Sequence, residues 1–256
     1  MKFFILTDLE GVAGIDSFSQ TRTKEEEPKR PAMAQLAREV NACIEGIKSV
    51  YPDAEVDVWD GHGPGGLRPG DLVGGRYLRE GKPYMNLAGY AAMLFVGQHA
   101  MAGTFAAPLS HTYSSRTVAY YRLNGWFIGE FGARALIAGR QGVPTIFLSG
   151  DDKAALEAKI FIPEIETVAV KAGKGIEAAE HVSQDEACRL VREGAARAVR
   201  RMGEIPPFTG IEPPYLLEIR YLEPPDPSRR QSSNNRTWVD DRTVQIRAES
   251  LSDLPF

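Results

Sequence analysis

Cysteine is scarce in this chain, with two in 256 residues, Cys43 and Cys188. They stand far apart in stretches that read as helices, which suits reduced core fillers rather than a disulfide framework. Long apolar runs are missing too, and nothing approaches the roughly 20 residues needed to span a bilayer. The opening Lys2-Phe3-Phe4-Ile5-Leu6 starts like a secretory leader, but Asp8 ends the run too early for one. A cytoplasmic protein is therefore expected. Nor is there an excess of positive charge. Lys and Arg total 30 against 34 Asp and Glu, and a pI of about 5.7 argues against nucleic acid or an acidic membrane as the partner. The glycine-rich stretch from Gly61 to Gly66 is not followed by Gly-Lys-Ser/Thr, and no helix opens from it, which sets aside a phosphate-binding loop. No internal repeat is present.

What is present is a mix that is 43% hydrophobic and 25% charged, as in globular domains with a substantial core. Phe3 to Leu6 reads as a buried strand. After a charged passage over residues 21–31, Met33, Leu36, Val40, Ile44 and Ile47 recur at helical spacing. Glu55 to Asp60 follows as a second strand, completing a parallel β-α-β unit. The small residues from Tyr84 to Met93 predict a helical stretch, and Leu94 to His99 a third strand. Val118 to Leu123, Asn124-Gly125 and Trp126 to Ile128 predict a hairpin, because Asn-Gly supplies the positive φ angles of a type I′ turn. A helix through Ala135 and Ala138, a strand at Val143 to Gly150, a helix through Ala155 and a strand at Thr167 to Lys171 continue the alternation. Ser183 to Met202 is strongly amphipathic, with Ser183 and Glu186 placed as a capping box. Pro206 and Pro207 mark a composition shift, after which Leu216 to Leu222 and Thr243 to Ala248 read as strands separated by a polar, proline-rich loop. The fold expected is α/β, a mainly parallel sheet flanked by helices, with a smaller α+β C-terminal portion.

Three of the 4 histidines fall at strand exits or in Gly/Ala/Ser-rich loops: His62, His99 and His111. His181, between Glu180 and Val182, reads as ordinary surface. Asp8 and Glu10 leave the first strand on the same side, roughly 6–7 Å apart at ~3.3 Å per residue, and glycines flank Glu130. Read alone, Asp8 is a cap, Glu10 a solvated strand end and each histidine a structural residue. Read together at one sheet edge, imidazoles and carboxylates suit zinc or another divalent first-row metal, and two metals could share a carboxylate. Asp60 fits as a partner orienting a ligand. Asp151 and Asp152 fit that part or helix capping, and Lys171 either approaches the site or ends a strand.

Thr7-Asp8-Leu9-Glu10-Gly11-Val12-Ala13-Gly14 resembles the opening Asp-x-Glu-Gly motif of the D-aminopeptidase (DppA-like) family of binuclear zinc metallopeptidases. Asp60-Gly61-His62, Gly97-Gln98-His99-Ala100, Ser110-His111 and Gly129-Glu130-Phe131-Gly132 follow in that family's order. Gly150-Asp151-Asp152 and Val170-Lys171 match it as well, and the resemblance covers about residues 1–205 most closely. It implies two zinc ions, with Asp8 bridging both, Glu10 and His62 completing one side, and His99 and Glu130 the other. His111 would then be the catalytic residue, as nucleophile or general base. The implied activity is removal of N-terminal D-amino acids from short peptides or amides, by homo-oligomers that form a ring, a decamer being the expectation. Trp59 stands where the family often has asparagine, and Gln98 where it often has tyrosine. On this reading residues 1–205 form the metal-binding catalytic domain and residues 206–256 the smaller portion packed on it. Two alternatives stay open, a binuclear metal amidohydrolase acting on another small amide and a peptide- or metal-binding protein without turnover.

Overall fold

The computed structural model describes every residue from Met1 to Phe256. Phe3, Phe4, Ile5 and Leu6 of the first strand, β1 (Lys2–Thr7), are wholly shielded from solvent. A strand buried on both faces belongs in the middle of a parallel sheet, and β1 sits there. Helix α1 (Glu26–Val50) leads to β2 (Glu55–Asp60), which pairs with β1 in parallel from Lys2 against Glu55 to Thr7 against Asp60. The short β3 (Arg76–Leu78) pairs outside β2. The chain then returns to the other side of β1 as β4 (Ala92–Gln98). Next comes the hairpin of β5 (Val118–Leu123) and β6 (Trp126–Phe127). Then come α2 (Glu130–Arg140), β7 (Thr145–Asp151), α3 (Asp152–Phe161), β8 (Glu166–Gly175) and β9 (Ala178–His181). The first sheet runs β3-β2-β1-β4-β7-β8-β9 and is parallel apart from the β8–β9 pair.

This order matters for function. The chain leaves β1 toward β2 on one side and comes back to β4 on the other, so the crevice between the C-terminal ends of β1 and β4 is the topological switch point where open α/β sheets bind ligands. Helix α4 (Gln184–Arg200) packs along α1 and on β7 and β8, while α2 and α3 pack on each other. After α4 the chain contributes β10 (Tyr215–Tyr221), β11 (Arg236–Trp238) and β12 (Thr243–Ala248), with short 3-10 turns but no further α-helix. These three strands join the β5–β6 hairpin in a second, antiparallel sheet of order β11-β12-β10-β5-β6. No helix is long and apolar enough to cross a membrane.

Two local expectations are corrected. Residues 84–93 form no α-helix; a 3-10 turn at Pro83–Met85 leads by turns into β4, which begins at Ala92. Small residues there serve a tight entry into a buried strand, and strand pairing overrides their modest helical preference. Helix α1 begins at Glu26, five residues ahead of Pro31. Pro28 falls among the first-turn positions whose N–H has no partner in any case, and Pro31 forfeits a single further bond, so neither stops the helix. The hairpin turn is as expected, with φ of 47° at Asn124 and 90° at Gly125. At α4 the Ser183 hydroxyl accepts from the Glu186 N–H, while Glu186 turns to Arg189, so only half of the expected capping box forms.

Candidate metal centre

The segment after β1 is stitched to the end of β4. The Asp8 N–H donates to the Val96 carbonyl at 2.9 Å and the Gly11 N–H to the Gly97 carbonyl at 2.7 Å. The passage is so tight that a Cβ on Gly11 would lie 2.2 Å from the Gln98 carbonyl oxygen, and one on Gly97, where φ is +79°, would lie 2.1 Å from that of Asp8. Underneath, the buried Lys171 ammonium of β8 donates to the carbonyls of Glu10 and Ile15. Burial draws its pKa down to about 8. Asp8 and Glu10 are thus presented by a braced backbone.

Strand order brings the rest. His62 follows β2 and His99 follows β4, the two neighbours of β1, while Glu130 opens α2. The Asp8 carboxylate spans the cluster, with Oδ1 3.1 Å from His62 Nδ1 and Oδ2 3.2 Å from His99 Nε2. Glu10 Oε2 lies 3.1 Å from the same His62 Nδ1. Glu130 Oε1 lies 3.6 Å from His99 Nε2 and 3.8 Å from His111 Nε2. All six residues singled out from the sequence therefore converge, and His111 lies against His99. Each imidazole is also fixed from behind. His62 Nε2 faces the Thr21 carbonyl at 3.0 Å, His99 Nδ1 that of Ala100 at 2.8 Å, and His111 Nδ1 that of Leu109 at 2.9 Å. A proton on each of those nitrogens leaves the other nitrogen of each ring bare toward the carboxylates, the arrangement that metal-binding histidines adopt.

The charges are concentrated. Burial alone would raise the Asp8 carboxyl, but the facing imidazoles of His62, which is hydrogen-bonded to it, and His99 hold it well below the carboxylate range. Burial likewise opposes ionisation of Glu130, yet the Arg134 guanidinium, 3.0 Å away, and His99 bring it to about 2. His62 and His99 are pushed the other way. Burial would strip their protons, and the facing carboxylates, Glu10 and Asp8 for His62, Asp8 and Glu130 for His99, retain them well above the usual range. Those nitrogens therefore call for a positive charge, a proton or a cation. His111 differs, because burial and the charge on His99 lower it.

Two buried atoms in the cluster, Glu10 Oε2 and His99 Nε2, have no hydrogen-bond partner. His99 Nε2 lies close to Asp8, but not in a hydrogen-bonding direction. The ligand atoms of Asp8, Glu10 and His99 fall within 4.8 Å of one another, and so do those of His99, His111 and Glu130. Orphaned donor atoms of mixed imidazole and carboxylate type are what a zinc site requires. A cleft of about 320 Å³ opens at the cluster, and its lining includes Asp8, Glu10, His62, His111 and Glu130 together with Arg22, Arg134 and Ser114 to Arg116.

A family model described as D-aminopeptidase, peptidase family M55, matches residues 1–255. This chain belongs to the M55 D-aminopeptidases. The D-aminopeptidase of Bacillus subtilis (strain 168) is 32% identical over 230 residues, which cover 84% of this chain and 80% of that protein. The solved structure of the Zn-dependent D-aminopeptidase DppA from Bacillus subtilis, described as a self-compartmentalizing protease, shares the fold with a TM-score of 0.85. It is 24% identical, over 98% of this chain and 93% of that one.

Several residues that shape this M55 site escaped the sequence reading. Arg134 is one, held among the rings of Trp59, Tyr84 and Tyr113 at 5.4–5.7 Å. The i,i+4 spacing from Glu130 was an available signal. The Tyr113 N–H donates to Glu130 Oε1 at 2.8 Å, and neither it nor the Thr21 carbonyl leaves any trace in side-chain pattern. Asp60 does not orient His62. Its carboxylate accepts from the N–H groups of Gly66 and Leu67 and from the Tyr77 hydroxyl, so it shapes the loop that carries the imidazole. Asp151 caps α3, accepting from Lys153 and Ala154, and also receives the Ala100 N–H next to His99.

Proposed function

We propose that this M55 enzyme is a zinc-dependent aminopeptidase that holds two ions and releases the N-terminal D-amino acid of short peptides or amides. The orphaned, buried Glu10 Oε2 and His99 Nε2 on either side of Asp8 carry this reading. Asp8 would serve both ions, with Glu10 and His62 holding one and His99 and Glu130 the other. The chemistry that zinc would supply there is Lewis acidity toward water and the scissile carbonyl. The chain's own part is proton handling and orientation. His111, anchored through Nδ1 on the Leu109 carbonyl, keeps Nε2 free at the cleft wall, where it takes a proton from water and returns it to the leaving amine. Arg134 fixes the Glu130 carboxylate, and Lys171 fixes the backbone of Glu10.

A second reading has an observation of its own. His111 stands close enough to His99 and Glu130 to share a cation with them, which would make it a ligand rather than the proton carrier. The deciding experiment is elemental analysis of purified protein beside hydrolysis of matched D- and L-aminoacyl amides. About two zinc per chain with D-selective release supports the proposal, and metal-free protein that stays metal-free on reconstitution sinks it. Two zinc without release would return the question to other amides or to binding without turnover.

The assembly we propose is a homo-oligomeric ring, a decamer, which would cover Phe105, Trp126 and Phe127, all largely exposed in the single chain. A monomeric mass by light scattering would refute it. Both cysteines are free, and Cys43 is buried, in keeping with the cytoplasmic location proposed.

A further inference from the structure

The catalytic cleft is polar in two opposite senses. Its floor is acidic, with Asp8, Glu10 and Glu130. Its lining also carries Arg22 and Arg116, along with Arg134, which is paired with Glu130. Arg22 and Arg116 also line an adjoining shelf with Phe18, Ser19, Thr23 and Lys24, which contains three cations and no acid.

The two guanidiniums differ in how they are held. Arg22 is braced, with Nε donating to Ser115 Oγ at 2.8 Å and Nη2 to the Ser115 carbonyl at 3.3 Å. Its guanidinium lies over the Phe18 ring at 3.2 Å, and that ring meets His111 edge-on, with centroids 6.3 Å apart. The basic wall is thereby tied to the residue that handles the proton. Arg116 is exposed and is held by no carboxylate or side-chain partner. Burial, followed by the positive charge of Arg116, lowers the pKa of Arg22 against the opposing pull of Glu177 and Glu10.

Building on the aminopeptidase reading, we propose that Arg116, with Arg22 beside it, receives the C-terminal carboxylate of a short peptide whose N-terminal end lies over the acidic floor. A short zwitterionic peptide then spans the cleft with each end facing opposite charge. A guanidinium matches a carboxylate with two parallel donors. The enzyme would accordingly favour free-acid peptides over their C-terminal amides, and short peptides over long ones whose carboxylate overshoots the wall. Arg116 is a specificity residue in this scheme, and Arg22 positions the wall.

The test compares kcat/KM for D-alanyl-alanine and D-alanyl-alaninamide on the zinc-loaded enzyme, in wild type, R116Q and R116K. Arg116 makes no side-chain hydrogen bond within the protein, so R116Q leaves the wall in place, as an unchanged circular dichroism spectrum and melting temperature would verify. Wild type should favour the acid by about tenfold, the worth of one charge-assisted hydrogen bond. The ratio should collapse toward one in R116Q through KM rather than kcat, and R116K should restore part of it. A wild type without acid preference, or an R116Q ratio equal to wild type, overturns the inference while leaving the peptidase reading intact. Turnover of neither compound overturns both.

Discussion

The imidazoles of His99 and His111 stack with centroids 3.9 Å apart and planes 15° from parallel. Both depend on the carbonyl of Ala100, which faces His99 Nδ1 at 2.8 Å and accepts the His111 backbone N–H at 3.2 Å. One ring faces Asp8 and Glu130, and the other faces the cleft. Replacing His111 by Ala should leave about two zinc per chain and lower kcat by roughly 10²–10⁴-fold, the usual worth of a positioned proton carrier. Metal content and steady-state kinetics on the same preparation check this. Loss of one zinc equivalent would instead make His111 a ligand.

Asp8 is the only residue whose two carboxylate oxygens face different histidines. An Asp8→Ala variant should therefore lose both zinc ions together, and with them all measurable turnover. It should remain folded, since Asp8 is bordered by backbone bonds from β4 that the substitution leaves in place. Elemental analysis after dialysis gives the answer, and one retained equivalent would remove Asp8 from the bridging role.

Gly97 sits where the chain must adopt φ +79°, and a Cβ there would lie 2.1 Å from the Asp8 carbonyl oxygen. Gly97→Ala should destabilise the protein by about 2 kcal/mol or more, adding backbone strain to steric displacement. It should also weaken zinc retention, because the carbonyl it displaces belongs to Asp8. Urea unfolding and a chelator titration measure the two effects. Reduced stability with unchanged zinc affinity would show that the Asp8 carboxylate is positioned independently of β4.

Much of this site was legible because it rests on strand ends. The apolar run Phe3 to Leu6, the β-α-β spacing to Asp60 and the second apolar run ending at His99 are local patterns, and parallel pairing of adjacent strands places their C-terminal residues together. The family resemblance supplied the pairing of roles that no pattern gives. Residues 84–93 were misread because a buried strand entry and a small-residue helix share a composition. The braces behind the site were illegible for another reason. Backbone carbonyls of Thr21, Ala100 and Leu109 hold the histidines, and every residue type has a carbonyl. Lys171 could not be assigned because its ammonium reaches backbone oxygens 156 and 161 positions away.

Glu157 gives the site's supporting layer a pH signature. Its Oε2 accepts the Met101 N–H at 2.7 Å, two residues past His99, while Oε1 is buried without a partner. Burial raises its pKa from 4.5 to about 7. The folded protein then holds this proton more tightly than the unfolded chain. The resulting stabilisation is complete below pH 4.5 and is lost as pH rises through 7. Gln at this position keeps an acceptor for Met101 and carries no charge. Between pH 5 and pH 8 the wild type should therefore lose about 1–3 kcal/mol more stability than Glu157→Gln. Urea unfolding of both proteins at the two pH values, at equal zinc loading so that other titrating groups cancel, measures the difference. Parallel pH dependence would mean that Glu157 is already ionised at pH 5, with water or a cation meeting Oε1.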